Sequence, residues 1–223
     1  MPASAARSTI TVAEGSGSWL TVGHLVSREK TPDGRLPMLP SRRTAPQDHG
    51  GLVNDVQQLL AYEEIRQLPS RYALAMDSRD LEALVELFVD DVQVGRDRFG
   101  RETLKADFDR QLREIGISIL FVGNHVIDLV DDDHARGTVY CKGEIQVDEK
   151  WIHQAIVYRD RYERREGRWL FVRRKHLLFY GTELGENPLG LEPAEWPNHH
   201  TGRGTLPEDW ASWKAFWSRS TGD

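Results

Sequence analysis

Four strand-like stretches decide the fold of this chain: SILFVGNHVIDLV (residues 118–130), ARGTVYCKGEIQV (135–147), KWIHQAIVYRDRY (150–162) and RWLFVRRKHLLFY (168–180). They are rich in the β-branched and aromatic residues that favour strands. Only short polar segments separate them, at residues 131–134, 148–149 and 165–167. Strands joined by such short turns run antiparallel to their neighbours. The second half of the chain is therefore predicted to form a four-stranded antiparallel meander.

The segment before the meander has a helical period. A long helix is predicted from about Asn54 to Asp77, with Pro69 inside it, and its apolar positions are Val56, Leu59, Leu60, Ile65, Leu68 and Tyr72. Two further helices are predicted, one with Leu81, Leu84, Val85 and Phe88 inward, and one over residues 101–115. Helices followed by a meander are typical of an α+β fold in which the helices pack on one face of a curved sheet.

The two ends of the chain differ from this central part. Residues 1–51 are rich in Ser, Gly, Pro and Thr and predict an irregular arm, which docks on the core or on a neighbouring subunit. A sharper interpretation places Trp19 and Leu20 over the mouth of a pocket. Residues 52–181 form the predicted domain. Residues 182–223 form a tail rich in tryptophan, which we expect to wrap around the domain or an adjacent subunit because tryptophan side chains favour burial.

Composition excludes several classes of protein. The 223 residues carry a formal charge of −6 with basic residues spread along the chain, so a nucleic-acid partner is not expected. The arginines between Arg161 and Arg174 are interpreted as solvated faces of two strands. Cys141 is the only cysteine, which excludes an intrachain disulfide. No apolar run approaches the roughly 20 residues of a membrane helix, and the N-terminus lacks the apolar core of a signal peptide. A soluble, cytoplasmic protein with no membrane partner is expected.

Asp77 is the most informative single residue, because it ends the inward-facing stripe of the first helix. A carboxylate is costly to bury without a partner. Two interpretations stay open from the residues alone. Asp77 is either a structural group bonded to nearby backbone or to Arg79, or it is a catalytic base whose pKa is raised by burial.

The chain resembles a SnoaL-like domain of the nuclear transport factor 2 superfamily over about residues 52–181. The matching phrases are YALAMDSRDLEAL (72–84), LFVDDV (87–92), FVGNH (121–125), YRDRYER (158–164) and GRW (167–169). The resemblance implies a cone-shaped sheet around an apolar pocket, and a homodimer formed through the outer sheet face. The family hosts dehydratases, dehydrochlorinases, isomerases and polyketide cyclases, and also proteins that only bind. In the dehydratase and dehydrochlorinase relatives, an aspartate late in the first helix pairs with a histidine on the first meander strand.

Asp77 matches the family aspartate, but the family histidine is missing. Leu120 stands at its position, and Ile145 stands where some relatives carry a second histidine or an acid. Both replacements are apolar, so the resemblance implies a drier pocket without the Asp–His dyad. On a regular strand, His125 lies five positions after Leu120 and is predicted to face away from the pocket.

The resemblance also assigns roles to other residues. Tyr72 is expected to donate a hydrogen bond to an oxygen of the substrate, and His176 on the last strand is a reserve for the missing imidazole. The alternative for each is a buried structural residue. The expected substrate contacts are Tyr158, Leu120, Ile145, Phe121 and Cys141. No metal site is expected, since His199 and His200 are adjacent and lack a third ligand. No phosphate-cradling glycine motif is present, so no organic cofactor is implied.

Two hypotheses of function follow. The first is a cofactor-independent lyase or isomerase, of the dehydratase or cyclase type, which transfers a proton on a small apolar molecule, polycyclic molecules included. In this hypothesis Asp77, Tyr72 and His176 carry the chemistry. The second is a binding or scaffold protein that kept the pocket and lost the Asp–His dyad. A small apolar ligand and a homo-oligomer are expected in either case.

Overall fold

The computed structural model describes the backbone of residues 51–219 and the side chains from Asp55 onward. The predictions for residues 1–50, including those for Trp19 and Leu20, lie outside the described residues. The helices are α1 (Gly51–Ser78), α2 (Leu81–Glu86), α3 (Arg101–Leu112) and α4 (Ala211–Ser218). The strands are β1 (Gln93–Val94), β2 (Arg98–Phe99), β3 (Ser118–Leu129), β4 (His134–Val147), β5 (Lys150–Arg165) and β6 (Arg168–Glu183). Single 3-10 turns occupy Pro188–Gly190 and Pro207–Asp209.

The predicted meander is confirmed. Strands β3 to β6 pair in sequence order, each antiparallel to the next, and the sheet is not closed into a barrel. The long helices cover one face of this sheet, which we call the inner face. Between them lies an apolar core, to which α1 contributes Leu68, Tyr72 and Met76. The α+β prediction is therefore confirmed, with α1, α2 and α3 preceding the sheet in the chain and α4 following it.

A β-bulge in β3 changes which residues reach the inner face. Val122 pairs with Cys141 of β4, but His125 pairs with Val139, so three steps on β3 match two on β4. The extra residue reverses the alternation of side chains beyond it. Leu120 and His125 therefore share the inner face, although an odd number of positions separates them.

The first turns of α1 contradict the prediction of a continuous buried stripe. Ile65, Leu68 and Tyr72 are buried as expected. Val56, Leu59 and Leu60 are instead 54%, 67% and 57% exposed. The helical period identifies an apolar face but does not say which part of it the sheet covers. None of the helices within residues 51–219 combines the length and apolarity needed to cross a membrane.

Candidate functional site

Asp77 lies at the C-terminal end of α1, where this helix meets the start of β3. Its side chain is only 7% exposed. The hydroxyl of Ser118 donates to Oδ1 over 3.0 Å, and the backbone N–H of Leu120 donates to Oδ2 over 2.9 Å. Leu120 thus contributes its backbone N–H at the position where the resemblance expects an imidazole. Both carboxylate oxygens accept a hydrogen bond from a neutral group.

Burial raises the pKa of Asp77 to about 6. The hydrogen bonds from Leu120 and Ser118 and the charge of Arg79 act in the opposite direction, but they are weaker than the cost of removing the carboxylate from water. A carboxyl group with a pKa near 6 is largely ionised at neutral pH and still basic enough to accept a proton from a substrate. This balance suits a general base.

Arg79 supports the carboxylate from the turn that follows α1. Its side chain is 1% exposed, and its guanidinium donates to the Ser118 hydroxyl over 2.8 Å and to the carbonyls of Met76 and Gly116. Ser118 therefore accepts from Arg79 and donates to Asp77. Burial lowers the pKa of Arg79 to about 10, while the charge of Asp77 opposes the shift, so Arg79 stays cationic at neutral pH. The favourable charge reaches Asp77 through the hydroxyl of Ser118.

Tyr72 belongs to an aromatic cluster on the same interior. Its ring lies 6.1 Å from that of Tyr158 and 6.2 Å from that of Phe171, both edge-on. The guanidinium carbon of Arg174 lies 4.4 Å from the Tyr72 ring centroid and 4.2 Å from that of Tyr158. Burial raises the pKa of Tyr72 to about 12 and also raises the pKa of Tyr158. Both phenols therefore keep their proton at neutral pH and can act as hydrogen-bond donors.

A second buried polar group extends from this aromatic cluster. Arg174 donates from Nε and Nη2 to the two oxygens of Asp160, over 3.0 and 2.9 Å. The Asp160 side chain is 0% exposed and that of Arg174 is 4% exposed. The hydroxyl of Tyr162 donates to Asp160 over 2.9 Å. The interpretation of Arg174 as part of a solvated face was therefore wrong, because alternation along β6 places it on the inner face beside Asp160.

His125 completes this network, and its predicted orientation was also wrong. Its Nε2 lies 3.1 Å from the Tyr162 hydroxyl, as the bulge in β3 turns it inward. A Cβ at Gly137 would lie 2.7 Å from that hydroxyl and 3.0 Å from Nε2, so only glycine leaves room for the contact. Because Tyr162 gives its proton to Asp160, Nε2 must be the protonated nitrogen. Burial lowers the pKa of His125 to about 4, and the ring is neutral at neutral pH.

His176 pairs with Tyr158 across β5 and β6, and the two rings are 5.4 Å apart. Its Nε2 is buried and has no hydrogen-bond partner within the part of the chain that the structure describes. Burial, with a smaller effect of Arg174, lowers the pKa of His176 to about 4. A neutral imidazole on the inner face can polarise or bind a ligand, but it cannot supply a cation at neutral pH.

The remaining predicted contacts fall on two faces of the sheet. Cys141 is buried on the inner face, and Leu120 and Ile145 are half-buried there. Burial raises the pKa of Cys141 to about 11, so it is an uncharged thiol rather than a nucleophile. Phe121 is 57% exposed on the opposite face, because side chains alternate along β3. The structure does not bring Phe121 to the other residues, so Phe121 is not part of the candidate site.

A separate groove of about 510 Å³ lies on the outer side of α1. Its walls come from α1, α2 and the start of β6, and include Leu68, Arg71, Leu87 and Trp169. None of the predicted site residues lines it. Within residues 55–219 no cluster of three His, Cys, Asp or Glu side chains is arranged to hold a metal ion. The chemistry-bearing groups instead meet on the inner face, which we take as the candidate site.

Sequence reasoning found Asp77 and named Arg79 as its partner in the structural interpretation, but it missed the other groups that surround it. Ser118, Asp160 and Arg174 were not singled out for the site. A signal existed for the last two, since Asp160 stands two positions from both Tyr158 and Tyr162 on β5, at the inward positions of the strand. A charged residue at an inward strand position indicates a buried partner. Nothing in the sequence pointed to Ser118, whose role depends on where α1 ends against β3.

Comparison with known proteins agrees with this architecture. The family model described as a SnoaL-like domain matches residues 57–175, which is more than half of the chain. The chain therefore belongs to the SnoaL-like family. A comparison with curated proteins gives no match.

Several solved structures share the fold. The hexachlorocyclohexane dehydrochlorinase LinA is 26% identical with a TM-score of 0.53, and the match covers 59% of this chain and 94% of LinA. An NTF2-like protein from Novosphingobium aromaticivorans is 27% identical with a TM-score of 0.50, over 60% of this chain and 92% of its own. A putative scytalone dehydratase from the same organism is 19% identical with a TM-score of 0.52, over 60% and 93%. The last likeness concerns the fold alone.

Proposed function

We propose that this protein is a cofactor-independent lyase or isomerase in which Asp77 accepts a proton from a small, largely apolar substrate. The observation that carries the proposal is a buried carboxyl group, held by Ser118 and Leu120, with a pKa of about 6. A purely structural carboxylate in a low-dielectric interior is better stabilised by a direct cationic partner, as Asp160 is by Arg174. Asp77 keeps its basicity because its direct partners are neutral.

The class of reaction follows from one base and several neutral donors. Asp77 takes a proton from a carbon of the substrate, and the electron pair of that C–H bond forms a new C=C bond. In an elimination, the leaving group departs from the adjacent carbon with its own bonding pair. The dehydrochlorination named for LinA is a reaction of this kind, and the family membership supports it here. In an isomerisation, the same proton returns to another carbon.

The aromatic cluster is proposed to bind the substrate and to place its oxygen or leaving group. Tyr72 and Tyr158 are neutral phenols that donate hydrogen bonds to developing negative charge. The side chains of Leu120, Ile145 and Cys141 form an apolar surface beside Asp77 that excludes water. The exclusion of water strengthens the electrostatic interactions of the remaining polar groups. His176 is proposed as a ligand contact through its Nε2, which has no hydrogen-bond partner among residues 51–219.

The test combines turnover with binding. Purified protein is offered hexachlorocyclohexane and cyclic β-hydroxy ketones, and loss of chloride or water is followed. With the compound that reacts, Asp77→Asn is expected to lower kcat by about 10²-fold or more while affinity changes little, because a neutral amide cannot accept the proton.

In the wild type, kcat/KM is expected to rise with pH through about 6 and then level off. The control is Asp132→Asn, a change in the exposed β3–β4 turn. Equal turnover by Asp77→Asn and wild type would contradict the role of Asp77.

A binding function without catalysis is the second candidate. One observation favours it: the hydroxyl of Ser118 and the backbone N–H of Leu120 already donate to both oxygens of Asp77, at the position where the resemblance expects an imidazole. Native mass spectrometry of the purified protein separates the two candidates. A small molecule that stays bound and unchanged, with no turnover by wild type on the panel, would support the binding function.

A further inference from the structure

One face of α1 carries apolar side chains that the described part of the domain leaves in solvent. Val56 and Leu60 in the first turns are 54% and 57% exposed, and Leu74 near the C-terminal end is 61% exposed. Leu60, Gln67 and Leu74 follow one another at steps of seven residues, which is close to two helical turns, so they share this face. Exposed apolar side chains that line up in this way are typical of a surface that binds another helix.

The groove of about 510 Å³ lies beside the second half of this face. Its lining is shared between α1, α2 and the start of β6, and its apolar members include Leu68, Leu74, Ala75, Leu87, Trp169 and Leu170. The first half of α1 therefore offers protruding apolar side chains, and the second half offers an apolar groove that can receive such side chains. The two halves of the helix are complementary in shape.

Opposite charges on the same face are arranged symmetrically about Gln67. Glu63 precedes Gln67 by four positions, and Arg71 follows it by four. Within residues 51–219, Arg71 makes no hydrogen bond or ion pair. Glu63 has exposed partners on its own helix, at 2.8 Å from Gln67 and 3.4 Å from Arg66. A twofold axis through Gln67 brings Glu63 of one copy to Arg71 of another, and the reverse. The charges are thus complementary to a second, antiparallel copy of α1.

We propose that two copies of this chain associate through α1, packed antiparallel about a twofold axis at Gln67. This register places Leu60 of one copy opposite Leu74 of the other, because both lie seven residues from the axis. Leu60 then reaches the groove beside Leu74, and the twofold axis repeats the contact. Because α1 is unbroken over 28 residues, the contact can extend for about 33 Å, between residues 56 and 78. None of the proposed site residues belongs to this surface, so the inference does not depend on the proposed function.

A cysteine on the twofold axis tests this register in the full-length protein. In a helix pair with axes 8–10 Å apart, the Cα atoms of the two copies of residue 67 lie about 4–5 Å apart, which a disulfide can span. The matched control is Gln57→Cys, also exposed on α1, because the two copies of residue 57 lie about 30 Å apart. Under mild oxidation, Gln67→Cys should form a disulfide-linked dimer about tenfold faster or more than Gln57→Cys. The native thiol of Cys141 is 4% exposed and stays out of the reaction.

Further changes in the Gln67→Cys background test the contacts. Leu74→Asp puts a charge into the apolar contact and should slow cross-linking about tenfold or more, with urea unfolding as the check that the domain stays folded. Phe121→Asp, on the exposed outer face of the sheet, should leave the rate unchanged. Glu63→Lys and Arg71→Glu each bring like charges together and should slow cross-linking about fivefold or more. The double variant restores opposite charges and should return to within about twofold of the parent rate.

The proposal is overturned if Gln67→Cys cross-links no faster than Gln57→Cys, or if the exchange of charges in the double variant does not restore the rate. Labelling of Gln67→Cys with N-ethylmaleimide then identifies the alternative. Slow labelling would indicate that residues 1–50 of the same chain cover this face, and fast labelling would indicate a face that is open to a different protein. Either result excludes the twofold pairing of α1.

Discussion

Asp77 and Asp160 are two of the three buried aspartates in the part of the chain that the structure describes, and their surroundings differ in one respect. Asp160 on β5 accepts two hydrogen bonds from the Arg174 guanidinium and one from the Tyr162 hydroxyl. Asp77 at the end of α1 accepts one from the Ser118 hydroxyl and one from the Leu120 N–H, and Arg79 reaches it through Ser118. A direct cation neutralises the first carboxylate, whereas neutral donors leave the second with a raised pKa. Burial alone therefore does not distinguish a structural carboxylate from a reactive one, and the identity of its direct partners does.

The largest expected change in the free energy of unfolding is at Asp160, the carboxylate that is paired with Arg174. Asp160→Asn leaves the Arg174 guanidinium buried without a counter-charge, which costs about 3–5 kcal/mol of unfolding free energy. Urea unfolding of the variant and the wild type measures it. The matched control is the double variant Asp160→Leu with Arg174→Met, which removes both charges and should recover most of the loss. A single variant as stable as wild type would show that the pair is not desolvated.

At Asp77, the same kind of substitution is expected to raise the free energy of unfolding rather than lower it. Its folded pKa of about 6 lies above the ordinary value of 3.8, so the folded state binds the proton more tightly. The protonated Asp77 therefore stabilises the folded wild type at low pH, and this contribution to the free energy of unfolding is lost as pH rises from about 4 to about 6. Because the amide of Asp77→Asn does not ionise, the variant does not lose this contribution. It should be more stable than wild type by about 1–3 kcal/mol at pH 7.

The same measurement at pH 4 provides the control for Asp77. There the wild-type carboxyl is mostly protonated in the folded state, so the advantage of Asp77→Asn should shrink. The low pKa values of His125 and His176 reduce stability below about pH 6.5 in both proteins, and they cancel in the comparison. A variant that is less stable than wild type at pH 7 would identify Asp77 as a structural anion.

A smaller effect is expected at Ser118. Removing its hydroxyl with Ser118→Ala takes one hydrogen bond from the ionised carboxylate and breaks the link to Arg79. Hydrogen bonds to charged groups contribute about 1.5–3 kcal/mol, so the pKa of Asp77 should rise by about one unit. An upward shift of the pH dependence of kcat/KM would report it. An unchanged profile would show that Ser118 does not stabilise the anion.

The sequence predicts the fold and the position of Asp77 better than it predicts the contacts around the two aspartates. The alternating stretches between residues 118 and 180 and the helical period before them were sufficient for the α+β meander, because both patterns depend on local spacing. Asp77 was identifiable because it ends an apolar stripe. The contacts that set its pKa were not, since Ser118 and Leu120 reach it only through the packing of α1 against β3.

Two errors have a common physical origin. The inward orientation of His125 depends on a bulge that inserts one residue, and a single strand read alone shows no bulge. The exposure of Leu59 and Leu60 depends on how far the sheet extends beneath α1. Both features are set by the neighbouring element rather than by the segment itself.

The central claim is that Asp77 is a basic carboxyl group rather than a paired anion. Its pKa can be measured directly by following the side-chain carboxyl ¹³C resonance through a pH titration, with the resonance assigned by its absence from Asp77→Asn. The account predicts a midpoint near pH 6. A midpoint at or below about 4, the range of an ordinary or ion-paired aspartate, would contradict it.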